Sequence, residues 1–280
     1  MLSLCGALVY AELAVTYPRD GGDYVYLTRA YGRWAGFLFG WSKMAIVRPG
    51  EIAALAFVFG IYAKSVYQPF PGCEAYYAAA AVIALSLINA LGVRSGTWTQ
   101  NLLTILKIVG LITVVGIAFA GKAAPAAGEP AARLPVSVAL VLVLFTFGGW
   151  NEMANVAAEV KNPQRNIVRA LVIGTAAVTV LYLLVNAAFL NSLGYAALTR
   201  SRAVAADTVA HLFPETGKRL ISALICVSAV GSLNGLIFTG ARIIYATGAE
   251  HRLFRWLGRW DPRTGTPLRA IGVQGAIALV

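Results

Sequence analysis

Long apolar runs separated by short polar segments make up most of the chain. A helix needs roughly 20 residues to cross a hydrocarbon core of about 30 Å. The runs lack the two-residue alternation of membrane β-barrels and are rich in Ala, Leu and Gly, so they predict helices. We place seven spans and a shorter eighth at residues 2–17, 34–63, 76–92, 99–120, 136–158, 167–190, 219–246 and 268–280.

Composition supports a multi-pass membrane protein with a single transmembrane domain over residues 1–280. Hydrophobic residues make up 59% of the chain, only 12% are charged and the mean hydropathy is +0.71, whereas about a quarter of the residues of soluble domains are charged. The net charge of +11 could indicate a nucleic-acid partner. The basic residues instead form short clusters between apolar runs, as in helix-flanking loops, so no nucleic acid is predicted.

The distribution of Lys and Arg predicts the orientation, because short cytoplasmic loops are enriched in both. One set of alternate connections contains Arg19, Arg29, Arg33, Arg94, Lys161, Arg165, Arg169, Arg242, Arg252, Arg255, Arg259, Arg263 and Arg269. The other set contains Lys64, Lys122, Arg133, Arg200, Arg202, Lys218 and Arg219. The first set is larger, so we predict that it is cytoplasmic. The first span then runs inward with no helix before it, and the chain stops inside an apolar run, so we expect a fragment.

The stretch from Phe145 to Trp150, FTFGGW, interrupts an apolar span near its middle. Two glycines each lower helix propensity by about 1 kcal/mol, and they expose backbone that a small solute can approach. Close packing of a neighbouring helix explains adjacent glycines equally well. Discontinuous helices near the bilayer midplane, however, are a recurrent way to bind small charged solutes, and this favours a binding site here.

Charged residues inside two other spans are candidates for function. Lys107 lies several residues inside its span, where an ammonium costs about 2.5 to 3.5 kcal/mol; extension of the side chain to the interface is the alternative. Arg48 and Glu51 are three residues apart on one helix face and can form an ion pair, and Pro49 permits a kink. That ion pair can contact substrate or only stabilise the bundle.

Five ordered motifs together resemble one family. They are ALVYAELAVTYPRDGGDYVYLTRAYG, VRPGEIAALAF, QNLLTILK, FTFGGWNEMANVAAEVKNPQRNIVRALV and GSLNGLIFTGARIIYATG. In this order they resemble the L-type amino acid transporters of the amino acid-polyamine-organocation superfamily. The resemblance implies an all-α polytopic membrane bundle, here a partial LeuT-type inverted-repeat fold. The segments match spans two to nine of twelve, with the interruption in the broken sixth span.

The resemblance also implies a substrate site and a coupling residue. Phe145 matches an aromatic gate, the glycine break matches the unwound backbone that meets substrate, and Lys107 matches a lysine that replaces sodium in sodium-independent relatives. The implied substrate-binding residues are Phe145, Thr146, Phe147, Gly148, Gly149, Asn151, Ile46, Val47, Glu51 and Leu55. Lys107 and Arg48 are assigned structural or coupling roles.

Two features depart from the family pattern. The glycine-rich break of the first span, which holds the substrate carboxylate, has no match in this sequence, and Glu51 stands where relatives have a small or neutral residue. If Arg48 does not neutralise it, Glu51 would favour a basic substrate side chain. Cys73, which we place in a loop, falls near the cysteine that links animal relatives to a glycoprotein subunit. The spacing differs by two residues, so we do not predict that partner, although Cys73 leaves it open.

The sequence as a whole predicts a secondary transporter of neutral L-amino acids in the plasma or inner membrane. It would work by alternating access, as sodium-independent exchange or uptake, with an amino acid and the lipid bilayer as its partners. No cofactor, metal or enzymatic activity is predicted, because the spans contain no nucleophile with a base and no cluster of metal ligands. A transporter-like amino acid sensor and an inactive truncated remnant are the alternatives.

Overall fold

The computed structural model describes residues 2–121, 135–201, 203–210 and 213–280. The predicted loop charges Lys122, Arg133 and Arg202 lie outside these ranges. The helices are α1 (Leu2–Thr16), α2 (Asp23–Tyr31), α3 (Arg33–Ser42), α4 (Arg48–Val66), α5 (Cys73–Ala90), α6 (Val93–Ala120), α7 (Val136–Thr146), α8 (Pro163–Arg200), α9 (Val204–Ala210), α10 (Pro214–Glu250) and α11 (Leu268–Ala278). Two 3-10 segments span Trp150–Glu159 and Arg252–Phe254.

The lengths and hydropathy of the helices confirm a polytopic helical membrane fold. Among the described residues, six helical segments are long and apolar enough to cross a bilayer, and α1 and α11 are shorter apolar helices. The short helix α2 lies where the sequence predicted only a cytoplasmic connection. It turns back at Gly32, where φ is 88°, a left-handed value that favours glycine, and it packs along α3.

The predicted kink near Pro49 takes a specific form. Lys43–Val47 is π-helical and joins α3 to α4, and the N–H of Arg48 donates to the carbonyl of Lys43. Proline has no N–H and its ring clashes with the carbonyl four residues earlier, and a π-helical turn is one way for a helix to absorb such a misfit. α3, the π segment and α4 therefore form one span whose middle is irregular.

Two of the four apolar clusters among the described residues lie next to the helix break and its neighbours. The larger cluster is formed by α4, α5, α10 and α11 around Ile52, Leu85, Leu233 and Ile271. The second joins α1, the 3-10 segment Trp150–Glu159 and α8 around Ala7, Ala11, Ala154 and Ile167. The apolar side of the segment that follows the glycine break is therefore packed against α1 and α8.

The structure corrects two sequence predictions. Cys73 does not lie in a loop: it is the first residue of α5 and is 1% exposed, because Gly72 adopts a left-handed conformation that starts the helix at once. Arg242 is not a loop charge either. It lies inside α10, fully buried, where Nε donates to Glu159 at 2.7 Å and the guanidinium stacks on Phe238 at 3.8 Å.

Candidate functional site: a broken helix beside a buried charge cluster

The helix break lies at the glycine pair. Helix α7 ends at Thr146, Gly149 has a φ of 92°, and a 3-10 segment begins at Trp150. The left-handed region around this φ strains residues that have a Cβ, so the turn requires glycine. Among the described residues, the N–H of Gly149 donates no hydrogen bond. The break therefore leaves polar backbone open in the middle of a span.

A cavity of about 380 Å³ adjoins this backbone. The break forms one wall, and Gly174, Thr175 and Tyr182 of α8 contribute to the other. The Tyr182 ring meets Phe147 edge to face at 5.0 Å, and its hydroxyl lies 3.5 Å from the carbonyl oxygen of Thr146. The volume lies within the range of about 300 to 1,000 Å³ usual for small-molecule sites.

Trp150 fixes the position of the segment after the break. Its ring packs on Gly6 of α1, where an added Cβ would lie 2.8 Å from a ring carbon, and Tyr10 meets it edge to face at 5.3 Å. Any side chain at Gly6 would displace this ring. Helix α1 therefore determines where the chain leaves the glycine pair.

A buried charge cluster connects the same segment to α4 and α10. Arg48 is 1% exposed, and its guanidinium donates to Glu51 at 3.0 Å and to Glu152 at 2.9 Å. Glu152 also accepts bonds from Thr239 of α10 at 2.6 Å and from Asn155 at 3.1 Å. The Glu152 carboxylate thus joins its own 3-10 segment to α4 and to α10.

The cluster of Lys43, Arg48, Glu51 and Glu152 is electrically balanced. Lys43 lies 3.9 Å from Glu51, so these four residues supply two cations and two carboxylates. The carboxyl of Asp23, which accepts from Tyr10 at 2.6 Å, lies near the same two cations. Gly240 of α10 leaves room for the Arg48 side chain, since a Cβ at Gly240 would lie 2.8 Å from Cγ of Arg48. Arg48 is the fully buried member, and because burying an unpaired charge costs several kcal/mol, its guanidinium needs these carboxylates to remain inside the bundle.

The structure separates the residues assigned to the site into two groups. Thr146, Phe147, Gly148 and Gly149 line the cavity, but the Phe145 ring is 87% exposed.

The second group lies on the π-helical segment and α4. Ile46 and Val47 are 60% and 38% exposed, and Leu55 packs against the larger core. Glu51 accepts a hydrogen bond from Arg48. Asn151 is half-buried in the 3-10 segment. The hydrogen bond from Arg48 of α4 to Glu152, three residues after the glycine pair, connects the elements that carry the two groups. Lys107 points towards α10, with Nζ 4.0 Å from where a Cβ on Gly231 would stand.

Sequence reasoning missed three residues that the structure brings to this region. Glu152, Thr239 and Tyr182 were not assigned a role. A signal existed for Glu152, because a carboxylate three residues after the glycine pair, inside a span, is costly unless it is paired. Thr239 and Tyr182 carry no such signal, since hydroxyl side chains are common in membrane helices.

A second polar cluster lies at the end predicted to be cytoplasmic. Asp20, in the connection between α1 and α2, faces Glu159 and Arg242. Burial, together with the neighbouring Glu159 carboxylate, raises the pKa of the Asp20 carboxyl to about 6, and Arg242 acts in the opposite direction. Gly21 beside it donates its N–H to the carbonyl of Asn155 at 3.2 Å. The end of the 3-10 segment is thus tied to this loop.

Apolar spans, a helix break inside one of them and paired charges define a multi-pass helical membrane protein with a discontinuous span. A family model described as amino acid permease matches residues 1–280. The chain belongs to this amino acid permease family.

Curated relatives extend the comparison. The chain is 31% identical to the mouse b(0,+)-type amino acid transporter 1, over all of this chain and 60% of the relative. It is 32% identical to the Bacillus subtilis serine/threonine exchanger SteT, over all of this chain and 65% of the relative. It is 30% identical to the mouse Asc-type amino acid transporter 1, over 98% of this chain and 55% of the relative. The chain thus spans about 60% of the length of these relatives, whose names describe transport and not catalysis.

Proposed function

We propose that this protein is a secondary transporter that moves neutral L-amino acids by alternating access, as sodium-independent exchange or uptake. The observation that carries the proposal is the glycine break, whose open backbone faces a cavity of about 380 Å³ in a member of the amino acid permease family. The partial negative charge at the carboxyl end of α7 suits a substrate ammonium, and the unbonded N–H of Gly149 is a donor that a substrate acceptor atom can use.

The charge cluster supports a neutral substrate side chain. Glu51 is the acidic residue that would attract a basic substrate, and Arg48 and Lys43 already balance its charge. Ile46 and Val47 beside it are apolar and exposed. The name of the serine/threonine exchanger among the relatives is in keeping with small neutral substrates.

Lys107 supports sodium independence. Its ammonium approaches α10 at Gly231, and a fixed positive charge there would perform the structural role that a bound sodium ion has in sodium-coupled transporters. Neutral amino acid transport would then need no cation gradient.

Uptake into proteoliposomes tests the proposal. The protein is reconstituted with unlabelled amino acids inside, and entry of labelled serine, leucine, lysine and glutamate is measured. We expect serine or leucine to enter and to exchange. Binding without entry would indicate a sensor, and absence of both would indicate an inactive remnant; either result contradicts transport.

A matched pair of variants tests the position of the site. Gly174 lines the cavity and Gly116 lies in α6 outside it; neither would meet another atom within 4 Å if a Cβ were added. Gly174→Leu fills the cavity, so we expect uptake to fall at least tenfold, whereas Gly116→Leu should retain it. Equal uptake by the two variants would place the substrate elsewhere.

A further inference from the structure

The connection between α10 and α11 carries an unusual concentration of exposed cationic and apolar side chains. Residues 251–269 contain five arginines and one carboxylate, that of Asp261. All five arginines are exposed: Arg252, Arg255, Arg259, Arg263 and Arg269. Between them, Leu253 is 71% and Trp256 is 49% exposed. We call these seven residues the arginine platform.

The arginine platform is held rigidly on the bundle. Leu257 is 1% exposed within the larger core, and Phe254 stacks on Phe37 of α3 with ring centroids 6.0 Å apart. Gly258 lies directly against the backbone of Ala249 at the end of α10, so that any Cβ would overlap it. Phe254 and Leu257, three residues apart, point inward and thereby fix the orientation of Arg255 and Trp256 between them.

The cationic groups of the platform are available to an outside ligand. Within the described residues, none of its five arginines forms an ion pair. The nearby carboxylates are already engaged: Glu250 accepts from Tyr24 at 2.9 Å, and Asp261 accepts the N–H of Arg263 at 2.8 Å. The guanidinium of Arg269 donates to the backbone of Trp256 at 3.1 Å and thereby braces the loop.

The start of α3 extends the same surface. Arg33 donates to the carbonyl of Glu250 at 3.1 Å, which places it beside the platform, and Trp34 next to it is 70% exposed. Tryptophan and arginine together are typical of the membrane–water interface, where the ring lies among headgroups and the guanidinium binds phosphate. The distribution of Lys and Arg assigns this end of the bundle to the cytoplasmic side.

We infer that the arginine platform is a binding site for anionic phospholipid headgroups of the cytoplasmic leaflet. Leu253 and Trp256 enter the interface while the arginines bind the phosphates. Charge complementarity favours this ligand, because the cytoplasmic surface is negative and each Lys or Arg near it contributes about 1 kcal/mol, a factor of about five in affinity. Neither the substrate cavity nor the charge cluster takes part, so the inference stands apart from the transport proposal.

Lipid titration of the purified chain tests the site. Delipidated protein in neutral detergent is titrated with phosphatidylglycerol or phosphatidylcholine, and bound lipid is counted by native mass spectrometry. We expect tighter binding of phosphatidylglycerol. The double variant Arg255→Gln/Arg259→Gln should weaken it roughly 25-fold, five-fold for each arginine, and leave phosphatidylcholine unaffected.

Arg165→Gln/Arg169→Gln is the matched control, because it removes the same charge from exposed positions at the same end of the bundle. It should change binding less than twofold. Arg252→Gln/Arg263→Gln repeats the test at other platform positions, and circular dichroism checks that each variant keeps its helix content.

Three results would overturn the inference. They are no preference for phosphatidylglycerol, unchanged binding in both platform variants, and an equal loss in the control, which would indicate net charge alone.

Discussion

Glu152→Gln is the sharpest test of the charge cluster. The substitution keeps the shape of the side chain and its bond to Thr239, but it removes one of the two carboxylates that face Arg48, which is 1% exposed. Removing one partner of a buried ion pair costs about 3 to 5 kcal/mol. Arg48 retains Glu51 at 3.0 Å, and the side chains of Glu51 and Glu152 are 41% and 27% exposed. We therefore expect a loss near the lower limit, about 3 kcal/mol of unfolding free energy.

The assay is reversible unfolding in mixed micelles by added dodecyl sulfate, followed by circular dichroism. Arg48→Gln and the double variant complete a double-mutant cycle, for which we expect a coupling energy of about 1 to 3 kcal/mol. Glu12→Gln is the control, because Glu12 is exposed on α1 and forms no ion pair with any described residue. A loss below about 1 kcal/mol for Glu152→Gln, or strictly additive single effects, would refute the view that this cluster connects the broken segment to α4.

Three further predictions concern other parts of the chain. Lys107→Ala should lower uptake at least tenfold with membrane insertion intact, and replacement of sodium by choline should leave wild-type uptake unchanged; a large drop in choline would count against the assignment. Asp20 has a folded-state pKa of about 6 against an ordinary value of 3.8, so the folded state binds more protons and loses stability as pH rises from about 4 to 6. Asp20→Asn should reduce that slope and raise stability at pH 7, by at most about 3 kcal/mol and by less where solvent screens the carboxyl. An unchanged slope in unfolding midpoints would contradict the assignment. Gly40→Leu should destabilise the bundle, because a Cβ on Gly40 of α3 would overlap Thr247 of α10. A wild-type unfolding midpoint in this variant would show that α3 and α10 can move apart at no cost in stability.

The glycine break was predictable because it depends on local chemistry. Two adjacent glycines lower helix propensity at one point of the span, and the φ of 92° at Gly149 is a conformation that glycine adopts readily. Arg48 and Glu51 could also be paired from the sequence, since residues three apart share a helix face. Both inferences need only the spacing of a few neighbouring residues.

The partners of these residues could not be predicted in the same way. Glu152 is 104 positions from Arg48, and Thr239 is 87 positions from Glu152. Tyr182 reaches the break from α8. No periodicity connects such distant positions, because their approach depends on how the helices cross.

The sequence alone indicated which segments are apolar helices and the place where one of them stops, although the predicted span at residues 2–17 is the shorter helix α1 and six described segments are long enough to cross a bilayer. Hydrocarbon thickness and the need to satisfy every backbone group impose these properties locally. Only the tertiary structure decided that Glu51 is paired with Arg48, that Cys73 is buried and that Arg242 is buried against Glu159 and Phe238, because pairing and burial depend on neighbours that packing supplies.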